Sequence, residues 1–484
     1  MVKVIAQSFI VICVLLSSIF TYDDQVHAST DQWEKIKERG ELRVGLSADY
    51  APMEFERTVK GKREYAGIDI EIAKKIAKDH NVQLKIVNMQ FDSLLGALKT
   101  GKIDMIISGM TPTAERKKEV DFSDNYMAVE QKVVIRKVDK QKYQSLEDLA
   151  NKRIGAQKQT TQEELAQTEI EGADVQSLTR LPEVILSLKS NKIDAMVMDS
   201  AVGKAYLQQN KDLTFSDASF ADSEKQTAIA LPKESPELMD RVNGSIKEIK
   251  NQNLLAQYEK NAADAMQNDG NFISKYGSFF VTGLKNTILI SIIGVAFGAI
   301  FGSFFALMKI GSIRILKWFS TIYIEFLRGT PLLVQVFLVY FGTTAVLGWD
   351  ISAFICGAIA LVINCSAYIA EIIRAGINAV DKGQTEAARS LGLNYRQTMR
   401  HVIMPQAIKN ILPALGNEFV TVIKESSIIS VIGVSEIMFN AQVVQGASFD
   451  PFTPLIIAAI LYFILTFTLS RIMNYFEGRL KASD

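Results

Sequence analysis

The chain has 484 residues, of which 48% are hydrophobic and 22% are charged, and its formal net charge is zero. A chain of this length exceeds one ordinary soluble core, so we expect at least two domains. The net charge is −4 over residues 1–276 and +4 over residues 277–484. Neither half carries the strong basic excess that is typical of nucleic-acid-binding proteins, so this class of function is excluded.

The N-terminus carries one lysine, Lys3, followed by an apolar run from Phe9 to Phe20 and by small residues that end at Ala28. This pattern predicts a signal peptide over residues 1–28. The run is short for a bilayer crossing, and an uncleaved anchor helix is the alternative interpretation. In both cases the segment that follows is expected to be exported.

The cysteines predict no disulfide framework. Cys13 lies in the signal run, whereas Cys356 and Cys365 lie in an apolar segment, and the exported part between them has none. The three histidines are widely separated in the sequence, so we expect no metal site. We also expect no cofactor bound by this chain.

Strand and helix patterns alternate after residue 29. The segments "ELRVGLSA" and "VQLKIVNM" are typical of strands, and "GIDIEIAKKIAKDH" has apolar residues at helical spacing, with Asp69 as its expected N-cap. The segment "FDSLLGALKTG" predicts a helix that is ended by Gly101. This alternation predicts an α/β domain with a parallel sheet.

A short phrase occurs twice in the first half, as "LKTGKIDM" from Leu98 and as "LKSNKIDA" from Leu188. In each copy the end of a helix leads into a core strand. We therefore predict two similar lobes, with a ligand cleft at the carboxyl ends of their strands. The segments expected to line the cleft follow the two copies and read "SGMTPTAER" and "MDSAVG".

The predicted binding domain covers residues 30–268. Lobe 1 is expected at about 41–130 and 224–268, and lobe 2 at about 131–223. A polar, glycine-bearing linker is predicted at 269–278. The chain beyond this linker differs strongly in composition.

Four segments of the first half resemble the polar amino-acid-binding proteins of ABC importers: "GLSADYAPMEF", "GIDIEIAKKIA", "GMTPTAERKKEVDFSDNY" and "KIDAMVMDS". The resemblance runs from about Glu41 to Tyr258, and its third segment is the most specific. It implies a two-lobed α/β domain of the periplasmic-binding-protein type, a Venus flytrap whose lobes close on an amino acid.

The resemblance assigns the two charged ends of an amino acid to two side chains. Arg116 is expected to bind the α-carboxylate through two charge-assisted hydrogen bonds, which a lysine cannot make. Asp199 is expected to bind the α-ammonium group. Taken alone, Arg116 also fits a solvated helix face and Asp199 a helix cap. The other positions that match ligand-binding residues of the family are Thr111, Gly109, Tyr50, Phe91, Thr161, Gln157 and Ser47.

The identity of the amino acid depends on fewer positions. Many relatives carry aspartate where this chain has Ser47, and a glutamine-binding relative carries lysine where it has Gln157. The loss of an anion at position 47 argues against strong selection for a cation unless Asp49 or Glu54 replaces it. The segment "QTTQEE" is nevertheless similar to binders of basic amino acids. We therefore predict a polar amino acid, glutamine first and a basic one second.

Long apolar runs dominate the predicted membrane domain, residues 279–484. Each run approaches or exceeds the length that a helix needs to cross a bilayer, although charged residues interrupt the fourth. We predict an all-α domain of five transmembrane helices. The runs are Asn286–Met308, Gly329–Trp349, Ile351–Ala370, Ile411–Val434 and Thr453–Ser470.

Basic residues concentrate in the loops at Gly311–Lys317 and Arg374–Lys409 and in the tail after Arg471. The turns at Phe341–Ile351 and Gly433–Phe452 have no lysine or arginine. Positively charged loops stay in the cytoplasm. We therefore predict a multi-pass protein of the cell membrane, with a cytoplasmic C-terminus and an extracellular binding domain.

The loop "EAARSLGLNYRQTMRHVIMP" predicts a pair of short helices. Gly392 is expected to end the first helix in the left-handed conformation, Asn394 with Gln397 to cap the second helix, and Pro405 to end it. The loop resembles the ATPase-coupling loop of ABC-importer permeases. The residues that match the pattern of that loop are Glu386, Ala387, Ala388 and Gly392.

The segment "YIEFLRGTPLLVQVFLVYFG" also resembles the amino-acid permease branch, and the likeness covers nearly all of residues 278–480. It implies a binding protein fused to its permease. It also implies a permease homodimer bound to a separate cytoplasmic ABC ATPase, which would hold the ATP. The chain itself is therefore predicted not to be an enzyme.

Polar residues within the membrane runs are candidates for the translocation path, because such residues are costly in lipid. Lys424 and Glu425 can equally pair with each other or with Glu418, as a purely structural alternative. The candidates are Glu325, Arg328, Asn417, Glu418, Lys424 and Glu425.

A ligand-gated ion channel with a similar flytrap is the alternative from another class of protein. In such a channel the pore interrupts the flytrap, whereas all five predicted crossings follow it in this chain. An exported enzyme is disfavoured, because the predicted cleft shows no pairing of a nucleophile with a base.

Overall fold

The computed structural model describes residues 32–59, 62–266 and 271–481. The predicted signal peptide, residues 1–28, lies outside the described residues, as does the start of the predicted linker. The described chain forms an α/β domain up to Met266 and a helical domain from Phe272 onwards.

The α/β domain is divided into short strands and helices. Its strands are β1 (Glu41–Leu46), β2 (Asp49–Tyr50), β3 (Glu54–Val59), β4 (Lys62–Ala66), β5 (Gln83–Asn88), β6 (Met105–Ile106), β7 (Asp121–Phe122), β8 (Met127–Arg136), β9 (Arg153–Gln157), β10 (Asp174–Leu178), β11 (Ala195–Asp199), β12 (Leu213–Phe215), β13 (Glu224–Thr227) and β14 (Ala230–Leu231). Its helices are α1 (Gln32–Arg39), α2 (Ile68–Asp79), α3 (Leu94–Lys99), α4 (Ala114–Glu119), α5 (Thr161–Glu169), α6 (Leu181–Lys189), α7 (Ser200–Gln209), α8 (Pro236–Asn251) and α9 (Leu254–Met266).

These strands form two main sheets, one in each lobe. The sheet of lobe 1 has the order β5-β1-β6-β14-β7, and that of lobe 2 has the order β10-β9-β11-β8-β12. The central strand β1 is parallel to β5 and β6, and β9 is parallel to β10 and β11. The predicted parallel core is therefore confirmed in both lobes. Strands β7, β8, β12 and β14 add antiparallel pairings that the sequence pattern did not predict.

The long strand β8 connects the two lobes. Its first part, Met127–Glu130, pairs with β13, and its second part, Gln131–Arg136, pairs with β11 and β12 in lobe 2. The chain returns to lobe 1 through β13 and β14. Two adjacent strands thus join the lobes, which is a connection that permits hinge closure.

The repeated phrase has a structural reason that is first visible in lobe 1. Ile103 packs against Gly45 of β1, where an added Cβ would lie 2.3 Å from the Ile103 Cδ1 atom. The next residue, Asp104, accepts a hydrogen bond of 2.7 Å from the backbone N–H of Arg43, and its own N–H donates to the Arg43 carbonyl at 2.9 Å. The phrase therefore locks the end of helix α3 to the start of the central strand.

Lobe 2 repeats the same arrangement. Ile193 lies 2.3 Å from the position that a Cβ would take on Gly155 of β9. Asp194 accepts from the Arg153 N–H at 3.2 Å, and its N–H donates to the Arg153 carbonyl at 2.7 Å. Because both lobes need the same isoleucine–glycine contact and the same aspartate–backbone bonds, the chain carries the phrase twice.

The helical domain is formed by nine labelled helices within the described part of the chain. They are α10 (Phe272–Ile310), α11 (Arg314–Gly329), α12 (Leu332–Ala345), α13 (Ala353–Asn378), α14 (Lys382–Ser390), α15 (Tyr395–Thr398), α16 (Met404–Glu425), α17 (Ile437–Ser448) and α18 (Thr453–Lys481). Helix α10 packs closely on α13 through small residues. An added Cβ on Gly298 would lie 3.0 Å from the Cys365 Sγ atom, and one on Gly302 would lie 2.8 Å from the Ser366 carbonyl oxygen.

Three of the described helices, α10, α13 and α18, are long and apolar enough to cross a membrane. The number rises to five if each of two bent pairs is a single crossing. Helix α11 is bent by 105° against α12, and the stretch from α15 to Ile432 is bent by 49° against α17. The predicted count of five thus agrees with the upper number.

Two local predictions in this domain were wrong. The run predicted at Gly329–Trp349 is helical only over Leu332–Ala345, because Pro331 has no N–H and interrupts the helix ladder after α11. Pro405 does not end the second short helix. It lies in the first turn of α16, where a missing N–H costs nothing, and a π-helical turn joins α15 to α16.

The caps predicted in the same loop are confirmed. Gly392 follows α14 with φ of 84°, in the left-handed region. Asn394 accepts a hydrogen bond from the Gln397 N–H, and the Gln397 side chain accepts one from the Asn394 N–H, both at 3.0 Å. This reciprocal pair forms a capping box at the start of α15.

Replacement of Ile193 by alanine tests the role of the repeated phrase. The change leaves a cavity under Gly155, so the free energy of unfolding of the binding domain should fall by about 2–5 kcal/mol. Denaturant unfolding of the purified chain in detergent measures this. The control is Val138→Ala, at a side chain that is 89% exposed, and its effect should stay within about 0.5 kcal/mol. Equal effects of the two changes would contradict the proposed lock.

Candidate functional site

A cavity lies between the two lobes. Its walls come from the segments after β1 and β6 in lobe 1 and from the end of β9 and the start of α5 in lobe 2. Two lining residues, Thr160 and Gln162, were not singled out from the sequence, whereas Ser108 begins the segment expected to line the cleft and Asp49 was considered as a replacement for the anion missing at position 47. The predicted residues that line it are Ser47, Tyr50, Phe91, Gly109, Thr111, Arg116, Gln157 and Thr161.

Arg116 connects the two lobes at this cavity. Its helix, α4, begins after Thr113, whose side chain caps it by accepting from the Arg116 N–H. The guanidinium donates to the Thr111 carbonyl at 2.8 Å and to the Gln159 carbonyl of lobe 2 at 2.6 Å, and it lies 5.5 Å from the centre of the Phe91 ring. Burial lowers the pKa of Arg116 to about 10, so the side chain stays charged at neutral pH. It is therefore placed at the cleft rather than on a solvated helix face.

Asp199 lies at the end of β11 and is 2% exposed. Its carboxylate accepts from the Tyr50 hydroxyl at 2.5 Å, from the Gln162 amide at 2.9 Å and from the Gln131 amide. The Tyr50 hydroxyl lies between Asp199 and the cavity, so Tyr50 lines the cavity and Asp199 lies directly behind it. The bond between Tyr50 of lobe 1 and Asp199 of lobe 2 crosses the cleft. With the Arg116 contact to Gln159, it holds the lobes together in this structure.

Two further carboxyl groups are fully buried next to the cavity. Asp69 accepts from the Gly109 N–H at 2.7 Å and from the Tyr126 hydroxyl at 2.9 Å. Glu54 accepts from the Ser108 hydroxyl. The prediction that Asp69 caps helix α2 was therefore wrong. The helix begins after Gly67, and the Asp69 carboxylate points inwards to donors of the cavity wall.

Burial raises the pKa of both groups. The pKa of Glu54 lies well above its ordinary value because the group is desolvated and stands near the Asp69 carboxyl. Burial also raises the pKa of Asp69 to about 7. Asp69 is therefore partly protonated at neutral pH as long as no cation compensates it.

A fourth carboxyl group, that of Asp49, lies at the edge of the cavity. It accepts from the Ser47 hydroxyl at 2.8 Å, and its other oxygen lies 3.7 Å from the Arg180 guanidinium. Both side chains of this pair are 2% exposed, and Arg180 belongs to lobe 2. The cavity is thus surrounded by four buried carboxyl groups and two guanidinium groups.

The permease residues singled out by sequence lie on the surface of the helical domain. In the loop after α13, Glu386 and Ala387 are exposed, whereas Ala388 is buried. Among the candidates for the translocation path, Glu418 and Glu425 are half-buried. The exposed candidates are Glu325, Arg328, Asn417 and Lys424.

A two-lobed α/β flytrap with a charged cleft, followed by a helical membrane domain, defines the class of ABC importers in which the binding domain and the permease share one chain. Residues 42–262 match the bacterial extracellular solute-binding proteins, family 3. Residues 294–482 match the binding-protein-dependent transport system inner membrane component. The chain belongs to the permeases of amino-acid ABC transporters and carries its own substrate-binding domain.

Individual relatives are similar to the permease half. The arginine transport system permease protein ArtQ of Bacillus subtilis is 42% identical over 206 residues, which cover 43% of this chain and 94% of ArtQ. The probable glutamine ABC transporter permease protein GlnM of the same species is 43% identical, over 43% of this chain and 95% of GlnM. These relatives are transport permeases rather than enzymes.

Among solved structures, the first half is similar to the amino acid ABC transporter substrate-binding protein AbpA from Streptococcus pneumoniae, bound to L-arginine. The identity is 37%, the similarity covers 48% of this chain and 98% of that one, and the TM-score is 0.47.

The raised pKa of Asp69 predicts how stability depends on pH without ligand. The folded chain keeps this proton up to about pH 7, whereas an unfolded aspartate loses it near 3.8. The free energy of unfolding of the binding domain should therefore fall as the pH rises between these values. Asp69→Asn should flatten this dependence, and thermal unfolding at a series of pH values measures it. Asp217→Asn, at an exposed position of lobe 2, is the control and should leave the dependence unchanged.

Proposed function

We propose that the chain imports a basic amino acid, with arginine favoured. It would capture the substrate in the cavity between the lobes and pass it across the membrane when a separate ATPase subunit hydrolyses ATP. Membership of the amino-acid ABC importers supports the general activity. The observation that supports a basic substrate is the excess of buried carboxyl groups over guanidinium groups in the cavity wall, at Asp49, and directly behind it, at Glu54, Asp69 and Asp199.

The charges of the cavity can be compared with those of an amino acid. The α-carboxylate and the α-ammonium group cancel each other, and Arg116 and Asp199 are the partners proposed for them. Of the buried groups described above, three carboxyl groups and the Arg180 guanidinium then remain. A buried charge without a partner is strongly unfavourable. A substrate with a cationic side chain would compensate this excess and allow the carboxyl groups to ionise.

The aromatic walls favour arginine among the basic amino acids. The Phe91 ring lies beneath the Arg116 guanidinium, and the Tyr50 ring lies 3.4 Å from the position that a Cβ would take on Gly109. A flat guanidinium group stacks on such faces and donates to carboxylates in a fork, whereas an ammonium group does neither as well.

Glutamine is the second candidate. The relatives include both arginine and glutamine permeases by name, and the cavity wall offers neutral partners for an amide in Ser47, Gln157 and Gln162. The sequence pattern placed glutamine first because Ser47 replaces an anion. The proposal reverses this order because Asp49 and Glu54, the two replacements considered from the sequence, are both buried at the cavity.

Calorimetric titration of the purified chain with arginine, lysine, histidine and glutamine tests the substrate. Arginine should bind at least tenfold more tightly than glutamine, which corresponds to about 1.4 kcal/mol. Glu54→Gln replaces a carboxyl group that would ionise next to a cationic substrate with a neutral amide, so it should weaken arginine binding by tenfold or more and leave glutamine binding nearly unchanged.

The matched control for this titration is Arg116→Lys, because its proposed partner, the α-carboxylate, is common to all amino acids. It should weaken the binding of arginine and glutamine alike. Heat with glutamine and none with the basic amino acids would reject the basic substrate. Heat with leucine alone would reject a polar substrate altogether.

We infer further that the binding domain faces the outside and that two copies form the permease. The basic loop around α14 and α15 supports a cytoplasmic position for that end of the helices. Glu325, Arg328, Asn417 and Lys424 are exposed on one copy, and charged side chains are costly in lipid. A second copy, with a water-filled path between the two, would remove them from lipid.

The loop of α14 and α15 is the proposed contact for the cytoplasmic ATPase. Its apolar side chains Leu391 and Tyr395 are 82% and 60% exposed, beside the exposed carboxylate of Glu386. Exposed apolar residues next to a charge are typical of a surface that a partner covers. Ala388 packs inwards and keeps the loop attached to the permease.

Charge reversal at Glu386 tests this contact. Glu386→Lys should retain amino-acid binding and abolish ATP-dependent uptake, because it acts only on the proposed ATPase contact. Uptake of radiolabelled arginine and glutamine into proteoliposomes, with the co-purified ATPase, measures the effect. Glu171→Lys, the same charge reversal on the exposed surface of lobe 2, should transport normally. Unchanged uptake by Glu386→Lys would rule out the coupling role.

A further inference from the structure

Lobe 1 is attached to the outer end of the permease through charged and polar contacts. The Arg43 guanidinium forms an ion pair with Asp350 in the segment between α12 and α13. The Lys102 ammonium group donates to the Ile351 carbonyl at 3.0 Å and lies 4.8 Å from the centre of the Tyr340 ring. These contacts involve lobe 1 alone, so they do not depend on whether the cleft is open or closed.

A different permease segment reaches the cleft itself. Residues 446–450, here called the 446–450 turn, form the end of helix α17 and the residues that follow it. An added Cβ on Gly446 would lie 2.6 Å from the Cα atom of Asp49, the residue at the cavity edge in lobe 1. The permease backbone is thus in direct contact with the wall of the ligand cavity.

Three residues later the same turn contacts lobe 2. The Phe449 ring meets the ring of Tyr206 edge to face, with a centroid distance of 4.9 Å and an interplanar angle of 86°. The Phe449 carbonyl accepts a hydrogen bond of 3.2 Å from the Asn210 side chain. Phe449 is 6% exposed and packs with the core residues of the binding domain. In the described part of the chain, the hydrogen bond and the ring contact between lobe 2 and the permease both involve Phe449, and helix α6 of lobe 2 also packs against α17.

The two contacts fit the turn only in one arrangement of the lobes. Asp49 and Arg180 form their buried pair across the lobes next to the turn. Opening the cleft moves Tyr206 and Asn210 away from Asp49, because β8 and β13 allow lobe 2 to rotate about lobe 1. Lobe 1 stays attached by its own contacts, so the turn would lose lobe 2 when the cleft opens.

We propose that the 446–450 turn is the element by which the permease detects closure of the binding domain. Gly446 contacts Asp49 of lobe 1. Phe449 contacts Tyr206 and Asn210 of lobe 2 only when the cleft is closed. This inference goes beyond the proposed function, because it does not depend on which amino acid the cavity holds. Since coupling between two binding events is reciprocal, the Phe449 contact also stabilises the ligand-bound, closed state.

The expected effect of Phe449→Ala follows from this coupling. The variant should bind amino acids several-fold more weakly, because the closed state loses its contact with the permease. Closure of lobe 2 should therefore require a several-fold higher amino-acid concentration. The matched control is Phe452→Ala, three residues further on, where the phenylalanine is 56% exposed. It should behave like the unchanged chain.

Distances measured by electron paramagnetic resonance in the full chain in lipid nanodiscs test the proposal. Spin labels at Glu171→Cys in lobe 2 and at Leu347→Cys at the end of α12 report the position of lobe 2, with the native cysteines replaced by alanine. The added ligand is a mixture of all standard amino acids, so an error in the substrate assignment does not affect the result. We expect a narrow distance distribution with the mixture and a broad one without it. Phe449→Ala should become narrow only at an amino-acid concentration several-fold higher than the unchanged chain requires.

Two results would overturn the proposal. One is a distribution for the unchanged chain that is the same with and without amino acids, because the contact would then be permanent. The other is a distribution for Phe449→Ala that becomes narrow at the same amino-acid concentration as that of the unchanged chain. If Phe449→Ala fails to fold, as shown by its thermal unfolding, Asn210→Ala removes the bond to the Phe449 carbonyl, together with the Asn210 bonds to Lys189 and to the Tyr206 carbonyl within lobe 2. It should raise the amino-acid concentration that gives the narrow distribution, and an unchanged concentration would count against the sensor.

Discussion

Carboxyl groups are costly to remove from water, and four of them lie in or behind the wall of the cavity described above. Neutral donors contact three of them, through the Tyr50 and Ser108 hydroxyls and the Gly109 N–H, whereas Asp49 also faces the Arg180 guanidinium. Neutral donors stabilise a carboxylate by hydrogen bonding but do not neutralise its charge. A cationic ligand would therefore still be stabilised at this site. The free energies of ligand binding, cleft closure and ligand release therefore all depend on how these buried carboxyl groups are compensated. The same groups that would attract a basic substrate would also resist the emptying of the closed cleft.

The rest of the binding domain places these groups on two lobes that are joined by only two adjacent strands. Each lobe locks its central strand with the same isoleucine–glycine contact and the same aspartate–backbone bonds. A connection of this kind permits the lobes to move as separate bodies. Arg116 and Tyr50 of lobe 1 and Asp199 of lobe 2 meet because both lobes present the ends of their strands to the cleft.

Much of this was predictable from sequence, for reasons that can be given residue by residue. Arg116 and Asp199 occur in specific motifs, and the phrase repeated at Leu98 and Leu188 predicted two lobes. Asp69 misled because its sequence position fits a helix cap, and only the fold shows its carboxylate under Gly109. Arg180 and Gln162 stand at the cleft through tertiary packing, without a local pattern. Helix α11 was not predicted, because charged residues interrupt its sequence and it therefore does not form a continuous apolar run.

The short connection between the two domains determines how many binding domains are available to each permease domain. Helix α9 ends at Met266 and α10 begins at Phe272, and so few residues span at most about 20 Å even when fully extended. Because each polypeptide carries one binding domain and one permease domain, translation fixes their ratio at one to one. The tether holds the binding domain near the permease at an effective concentration in the millimolar range or above. The supply of binding domains therefore does not depend on the expression of a second polypeptide.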